Sequence, residues 1–135
     1  MLQLVRLFDE LPDGFDDLVA EASGEGVALP TDSARFQDDG EALLVAFLAG
    51  SLAGVGGMTV EPAASEPARR LGPLYVRPTM RRRGVATALA SALIHEGFDS
   101  VGLLTVEAAV AAPFWQVQGF ISDTSGPWTH VMRRG

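Results

Sequence analysis

"VRPTMRRRGVATAL", residues 76–89, sets three consecutive arginines directly before what reads as the first turn of a helix. A helix N-terminus carries a partial positive charge, so each cation there is disfavoured by roughly 0.3–1 kcal/mol. The placement becomes favourable once a polyanion docks. First-turn N–H groups have no partner inside the helix, and with the dipole they form an anion site. Arginine adds paired, charge-assisted hydrogen bonds to phosphate. Gly84 lets a ligand approach the backbone, and Ala86 is small for the same purpose. The stretch is neither a nucleotide P-loop, lacking the lysine of G-x-x-x-x-G-K-[ST], nor a dinucleotide G-x-G-x-x-G motif.

Outward from this segment, hydrophobic periodicity divides the chain into short elements. "LGPLYV" (71–76) precedes it as a strand ended by Pro78, and the helix runs from about 83 to 96 with Gly97 as its stop. "VGLLTVE" (101–107) is a continuous apolar run, as in a strand covered on both faces. "APFWQVQ" (112–118) reads as a helix ended by Gly119, followed by the strands "FISD" and "WTHVMRR". Upstream, "LQLVRLF" (2–8) is a strand, and Asp13 is the expected cap of a helix burying Phe15, Leu18, Val19 and Ala22. "SGEG" (23–26) ends that helix, and a short second one is expected around 31–37. "EALLVAFLAGSLAGVGGMTV" (41–60) gives two strands joined at Gly50-Ser51 in a type II′ turn, and 61–70 is a surface loop. The whole is a mixed α/β (α+β) arrangement, expected as one domain over 1–135.

The chain has net charge −7 with no cysteine, which excludes disulfides and cysteine-ligated zinc, and no metal is expected. Residues 1–41 hold eleven acids and two arginines, a balance of −9; the remainder holds six acids and eight arginines, a balance of +2. All ten basic residues are arginine, as in a GC-rich bacterium. An acidic chain without an aromatic platform argues against nucleic acid. No apolar run approaches about 18 residues, so no membrane span is expected. The start lacks a signal peptide's basic region and cleavage site, and a cytoplasmic protein is expected.

Val76-Arg77-Pro78 followed by Arg81-Arg82-Arg83-Gly84-Val85-Ala86 resembles motif A of the GNAT acetyltransferase superfamily, a V-x-P strand end leading into [RQ]-x-x-G-x-[GA] and a helix. "AAPFWQVQGF" (111–120) is similar to the family's later A-x-x-F-Y-x-x-x-G-F element at Phe114, Gly119 and Phe120. The 41–60 hairpin also looks like the family's central strand pair. The resemblance spans nearly the whole chain and implies a mixed sheet of about six to seven strands flanked by about four helices. It implies acetyl-CoA as cofactor. The backbone of Arg81, Arg82, Arg83, Gly84, Val85, Ala86 and Thr87 would bind its pyrophosphate, and the open edge Leu74, Tyr75 and Val76 its pantetheine arm.

The implied reaction is direct attack of a primary amine, of a small molecule or peptide, on the acetyl thioester. A backbone N–H near Tyr75 would polarise the carbonyl. The sequence departs from the family where Trp115 stands for a frequent tyrosine acid and Arg69-Arg70 for a glutamate base. Indole is a donor only and delivers no proton, so Trp115 is read as packing. Glu61, Glu66, Glu107 and His130 are candidate bases without a spacing argument, and no catalytic residue is assigned. Asp16, Asp17, Glu21, Asp32, Asp38 and Asp39 would steer a cationic amine, or simply keep the acidic third solvated. The competing reading is a non-catalytic acyl-CoA-binding or regulatory module. Relatives often form homodimers; the sequence itself assigns no oligomeric state.

Overall fold

A computed structural model describes residues 1–32, 36–108 and 111–135. Its strands are β1 (Leu2–Arg6), β2 (Ala42–Leu48), β3 (Ser51–Val60), β4 (Ala68–Val76), β5 (Leu103–Val106), β6 (Ile121–Ser122) and β7 (His130–Arg133). The helices are α1 (Phe15–Gly24), α2 (Val85–Ser100) and α3 (Ala112–Gln118), with a 3-10 turn at Pro78–Met80. The expected helix around 31–37 falls largely on 33–35, outside the described residues. The strands form one sheet in the order β1-β2-β3-β4-β5-β7-β6, antiparallel except for β4 against β5.

Side-chain alternation sorts the core. On β2, Ala42, Leu44 and Ala46 point into the cluster under α2 and α3, while Leu43 and Val45 join Phe15, Leu18 and Ala22 of α1 on the opposite face. This period of two, with both faces covered, explains why β2 reads as an unbroken apolar run. β5 behaves alike: Leu104 and Val106 face α2, and Leu103 packs with Ala68, Trp128 and Val131.

Several local expectations are corrected. α1 is capped by Gly14 in the left-handed region (φ 86°), and Asp13 makes no capping bond. α2 begins at Val85 and continues past Gly97 to Ser100. Gly97 ends nothing; a Cβ there would lie 2.7 Å from Leu104 and 3.1 Å from the Met58 sulfur, so it serves close helix–sheet packing. Residues 68–70 are strand rather than loop, because they pair with both Val60–Thr59 of β3 and Leu103–Thr105 of β5.

The β2–β3 turn has Ala49 (φ 51°) and Gly50 (φ 84°) as its central pair, with Leu48 opposite Ser51. Two positive φ values make this type I′ rather than the expected type II′ at Gly50-Ser51. Ala49 carries the left-handed penalty that asparagine largely escapes. Ala49→Asn is therefore expected to stabilise the protein by about 0.5–1 kcal/mol, read as a rise of a few degrees in Tm.

The feature that positions the site is the divergence of β4 from β5. Both strands pair over Ala68–Leu71 and Leu103–Val106, and beyond Leu71 only β3 still accompanies β4. Gly54 permits this tight β3–β4 pairing, since a Cβ would fall 2.6 Å from the Tyr75 carbonyl oxygen. The edge of β4 from Gly72 to Val76 is left without a partner strand on the β5 side.

Candidate active site

The open edge of β4 leads into the arginine loop and the start of α2. Gly84 caps that helix at φ 79°, and no side chain bonds the cap. The first turn closes when Ala88 N–H donates to the Gly84 carbonyl at 2.9 Å. The N–H groups of residues 82 to 87 have no partner among the described residues. Arg82 itself sits at φ 63°, a conformation costing a non-glycine residue roughly 1–2 kcal/mol. A Cβ built on Gly84 meets nothing within 4 Å, so the approach to these donors is clear. A cavity of about 220 Å³ opens there, lined by Val76, Arg82, Gly84, Thr87 and Phe114 among others. Left-handed Arg82 and Gly84 flank Arg83, the alternating backbone pattern from which anion-accepting nests are built. The main-chain donors, the helix dipole and this clear approach fit a diphosphate.

The three arginines divide their work. Arg82 and Arg83 are exposed and make no ion pair among the described residues. Arg81 instead donates from Nε to the Val76 carbonyl at 3.0 Å and from Nη2 to both Glu25 carboxylate oxygens at 3.0 Å. Its guanidinium also lies 5.6 Å from the centre of the Tyr75 ring. Glu25 follows the end of α1, so the acidic helix grips the loop here, and Glu21 takes Arg77 at 3.4 Å. Two of the arginines preceding α2 are thus structural partners of the acidic third, while the next two remain open.

Tyr75 is buried and donates its hydroxyl to Glu25. Burial, then the Glu25 carboxylate, pushes its phenol up from 10.0 to about 12. The Tyr75 hydrogen bond and, after it, Arg81 hold Glu25 below its usual range. The folded state therefore binds the tyrosine proton more tightly than the unfolded chain does. That stability is complete below pH 10 and is lost as the pH rises through about 12. The chain has one tyrosine, no cysteine and no lysine. Tyrosinate absorbance is expected to rise in a single late step accompanied by a falling Tm. Tyr75→Phe is expected to remove both the absorbance change and that part of the alkaline loss.

A second cavity, of about 400 Å³, opens where β4 leaves β5. Arg70, Gly72 and Pro73 of β4, Thr59 of β3 and Glu107 just past β5 line it, with Leu29 and Phe36 closing one side. Gly72 and Val76 are separated by four strand residues, about 13 Å. One unpaired strand edge thus joins the anion nest at one end to a polar cavity at the other.

A family model for the acetyltransferase (GNAT) family matches residues 6–120. The chain belongs to that family. Among solved structures, a candidate acetyltransferase from Exiguobacterium sp. 255-15 is 28% identical with a TM-score of 0.88, over 98% of this chain and 93% of that one. An aminoglycoside acetyltransferase from an uncultured soil metagenomic sample is 17% identical with a TM-score of 0.67, over 87% of each chain. Glucosamine-6-phosphate N-acetyltransferase from Arabidopsis thaliana is 13% identical with a TM-score of 0.69, over 93% and 94%. The last two likenesses show the fold alone. Among curated proteins, none matches the sequence.

Within this GNAT domain the sequence-derived candidates separate clearly. Trp115 is buried in the core, edge-on to Phe114 at 5.1 Å and to Phe120 at 5.3 Å. Glu61 is buried and accepts from Arg70 Nη1 at 3.2 Å and Thr105 Oγ1 at 3.1 Å. Glu66 is paired with Arg133 at 3.0 Å and does not line the cavity. His130 lies under α3, bonded to Thr129 Oγ1 at 2.8 Å and facing the Gln116 amide at 3.3 Å. Gln116 donates to Nε2 in the tautomer that keeps the proton on Nδ1, so both ring nitrogens are occupied. Of the four bases considered, Glu107 alone lines the cavity. None of Asp16, Asp17, Glu21, Asp38 or Asp39 lines it, and neither does Asp32. Leu74 packs toward α2, and the Tyr75 side chain faces α1, so only their backbones border the open edge.

Among the described residues no helix is long and apolar enough to cross a membrane, and no His, Asp and Glu cluster could hold a metal.

Proposed function

We propose that the protein is an acetyl-CoA-dependent N-acetyltransferase acting on a primary amine of a small molecule or peptide. The observation that carries this is the run of unpaired N–H groups at residues 82–87, set at the end of an unpartnered strand edge. Bound acetyl-CoA supplies an acetyl group activated as a thioester. The nest and the free cations Arg82 and Arg83 would bind the pyrophosphate. The β4 edge would hold the arm by main-chain hydrogen bonding, as an added strand does. An arm laid along this edge would run from the nest toward Gly72 and the polar cavity.

There the amine nitrogen bonds to the acetyl carbon and the carbon–sulfur bond breaks. Glu107, at the cavity rim, takes the proton that the nitrogen loses, directly or through one water. The departing sulfur takes a proton from solvent. A thiol with a pKa of about 8.5 leaves readily, so no dedicated acid is required. Tyr75 is not that acid, because its proton is held up to about 12 and its hydroxyl is turned to Glu25.

Release of free CoA across a panel of primary amines tests this reading. Steady turnover that falls by about 10²–10⁴ in Glu107→Gln supports it. Trp115 and Arg69-Arg70, standing where relatives often carry tyrosine and glutamate, favour the non-catalytic acyl-CoA-binding module instead. Tight acetyl-CoA binding without turnover on any amine would establish that module.

A further inference from the structure

The acceptor cavity carries a charge arrangement that a simple cationic amine does not satisfy. Arg70 enters it from β4 as a fixed group. Its Nη1 donates to Glu61 at 3.2 Å and to the Pro127 carbonyl at 3.1 Å. Glu61 is in turn held by Thr105 Oγ1 at 3.1 Å and by the Ala63 N–H at 3.3 Å. One nitrogen of the guanidinium is thus anchored to a buried carboxylate. Its Nε and Nη2 make no hydrogen bond among the described residues, and these two donors form one edge of the planar group. That edge matches the two oxygens of a carboxylate. Glu107 is the one other charged residue among the described residues that line the cavity.

A cavity of about 400 Å³ lies within the range of small-molecule sites. It offers one anchored cation and one free anion, with apolar cover from Leu29 and Phe36. A ligand complementary to both charges is a zwitterion. An amine without an acid group leaves the Arg70 edge unsatisfied and meets a like charge.

We infer that the acceptor is an amino acid or similar small amine bearing a carboxylate, held by the Nε–Nη2 edge of Arg70 with its amine toward Glu107. This rests on the acetyltransferase reading and names its substrate class. The bond changes are those given above; the carboxylate takes no part in them and only positions the nitrogen.

The test uses the full chain and compares α-, β- and γ-amino acids with their primary amides and decarboxylated amines. Thermal stabilisation by acetyl-CoA is measured alongside CoA release. One amino acid series is expected to exceed its amides by at least about tenfold in kcat/KM, since a donor edge built for a carboxylate penalises the analogue lacking it. Arg70→Gln is expected to raise KM for the acid about tenfold more than KM for the amide, so that the preference for the acid is lost. Arg70→Lys keeps the charge without the planar edge and is expected to restore only part of the loss. Should Arg70→Gln fail to fold, the acid–amide comparison in the parent decides alone. Equal rates on acids and amides, or turnover confined to amines without an acid group, would overturn the substrate class while leaving the acetyltransferase reading intact. A parent that acetyl-CoA does not stabilise overturns both.

Discussion

Gly84→Asp is expected to abolish the stabilisation that acetyl-CoA confers on the parent. A ligand at 100 times its dissociation constant stabilises by about 2.7 kcal/mol, roughly 10 °C for a domain of this size. The substitution acts at the centre of the nest. Gly84 holds φ 79° and its missing side chain faces open space, so the carboxylate enters the volume in front of the unpaired N–H groups. It would occupy those donors as an intramolecular anion and repel the phosphates. Gly84→Asn separates charge from backbone cost, because asparagine tolerates the left-handed region and carries no charge. The expected order of acetyl-CoA stabilisation is parent, then Asn, with Asp giving none. Equal stabilisation in all three would place the phosphate site elsewhere.

Trp115→Ala is expected to cost about 3–5 kcal/mol, which lowers Tm by roughly 10–20 °C. The indole joins α3 to the sheet through Phe114, Phe120 and the cluster that contains Leu89, Leu93 and Leu104. Deleting it leaves a cavity that three separate elements would have to close. Trp115→Phe restores most of this packing and is expected to hold kcat within about threefold of the parent, far inside the 10²–10⁴ that an acid catalyst contributes. Thermal melts and steady-state kinetics on the same pair of variants separate the two roles. A large fall in kcat for Trp115→Phe with Tm preserved would assign the indole to chemistry.

The glycine–arginine loop was legible because its chemistry is local. Residues 81–87 bring the turn, the helix start and the cations within one stretch of chain, so a linear motif encodes the nest. The strand character of β2 and β5 was legible for the same reason, since apolar runs report burial on both faces. Local turn geometry was less so. Ala49 adopts φ 51° because β2 and β3 fix the register around it, and a short sequence window gives asparagine or glycine the better claim to that position. Gly97 misled because a glycine that ends a helix and one that lets a sheet approach look alike in sequence.

The catalytic and acceptor groups were not legible. Glu61, Glu66, Glu107 and His130 have equal standing along the chain. Their difference lies in what each meets across the sheet: Arg70 and Thr105, Arg133, the open cavity, and Gln116 with Thr129. The arginine triplet shows the same limit. Its three members are identical in sequence, yet Arg81 is taken by Glu25, 56 residues away.

The sequence by itself determined the family, the sheet-and-helix order and the glycine-led helix start that carries the proposed anion site, because these depend on periodicity and on backbone donors within a few residues. Only the tertiary structure decided which carboxylate faces the cavity, which arginines stay free and which edge of Arg70 is left for a ligand. Those outcomes depend on charge pairing and burial between segments that meet only when the sheet is assembled.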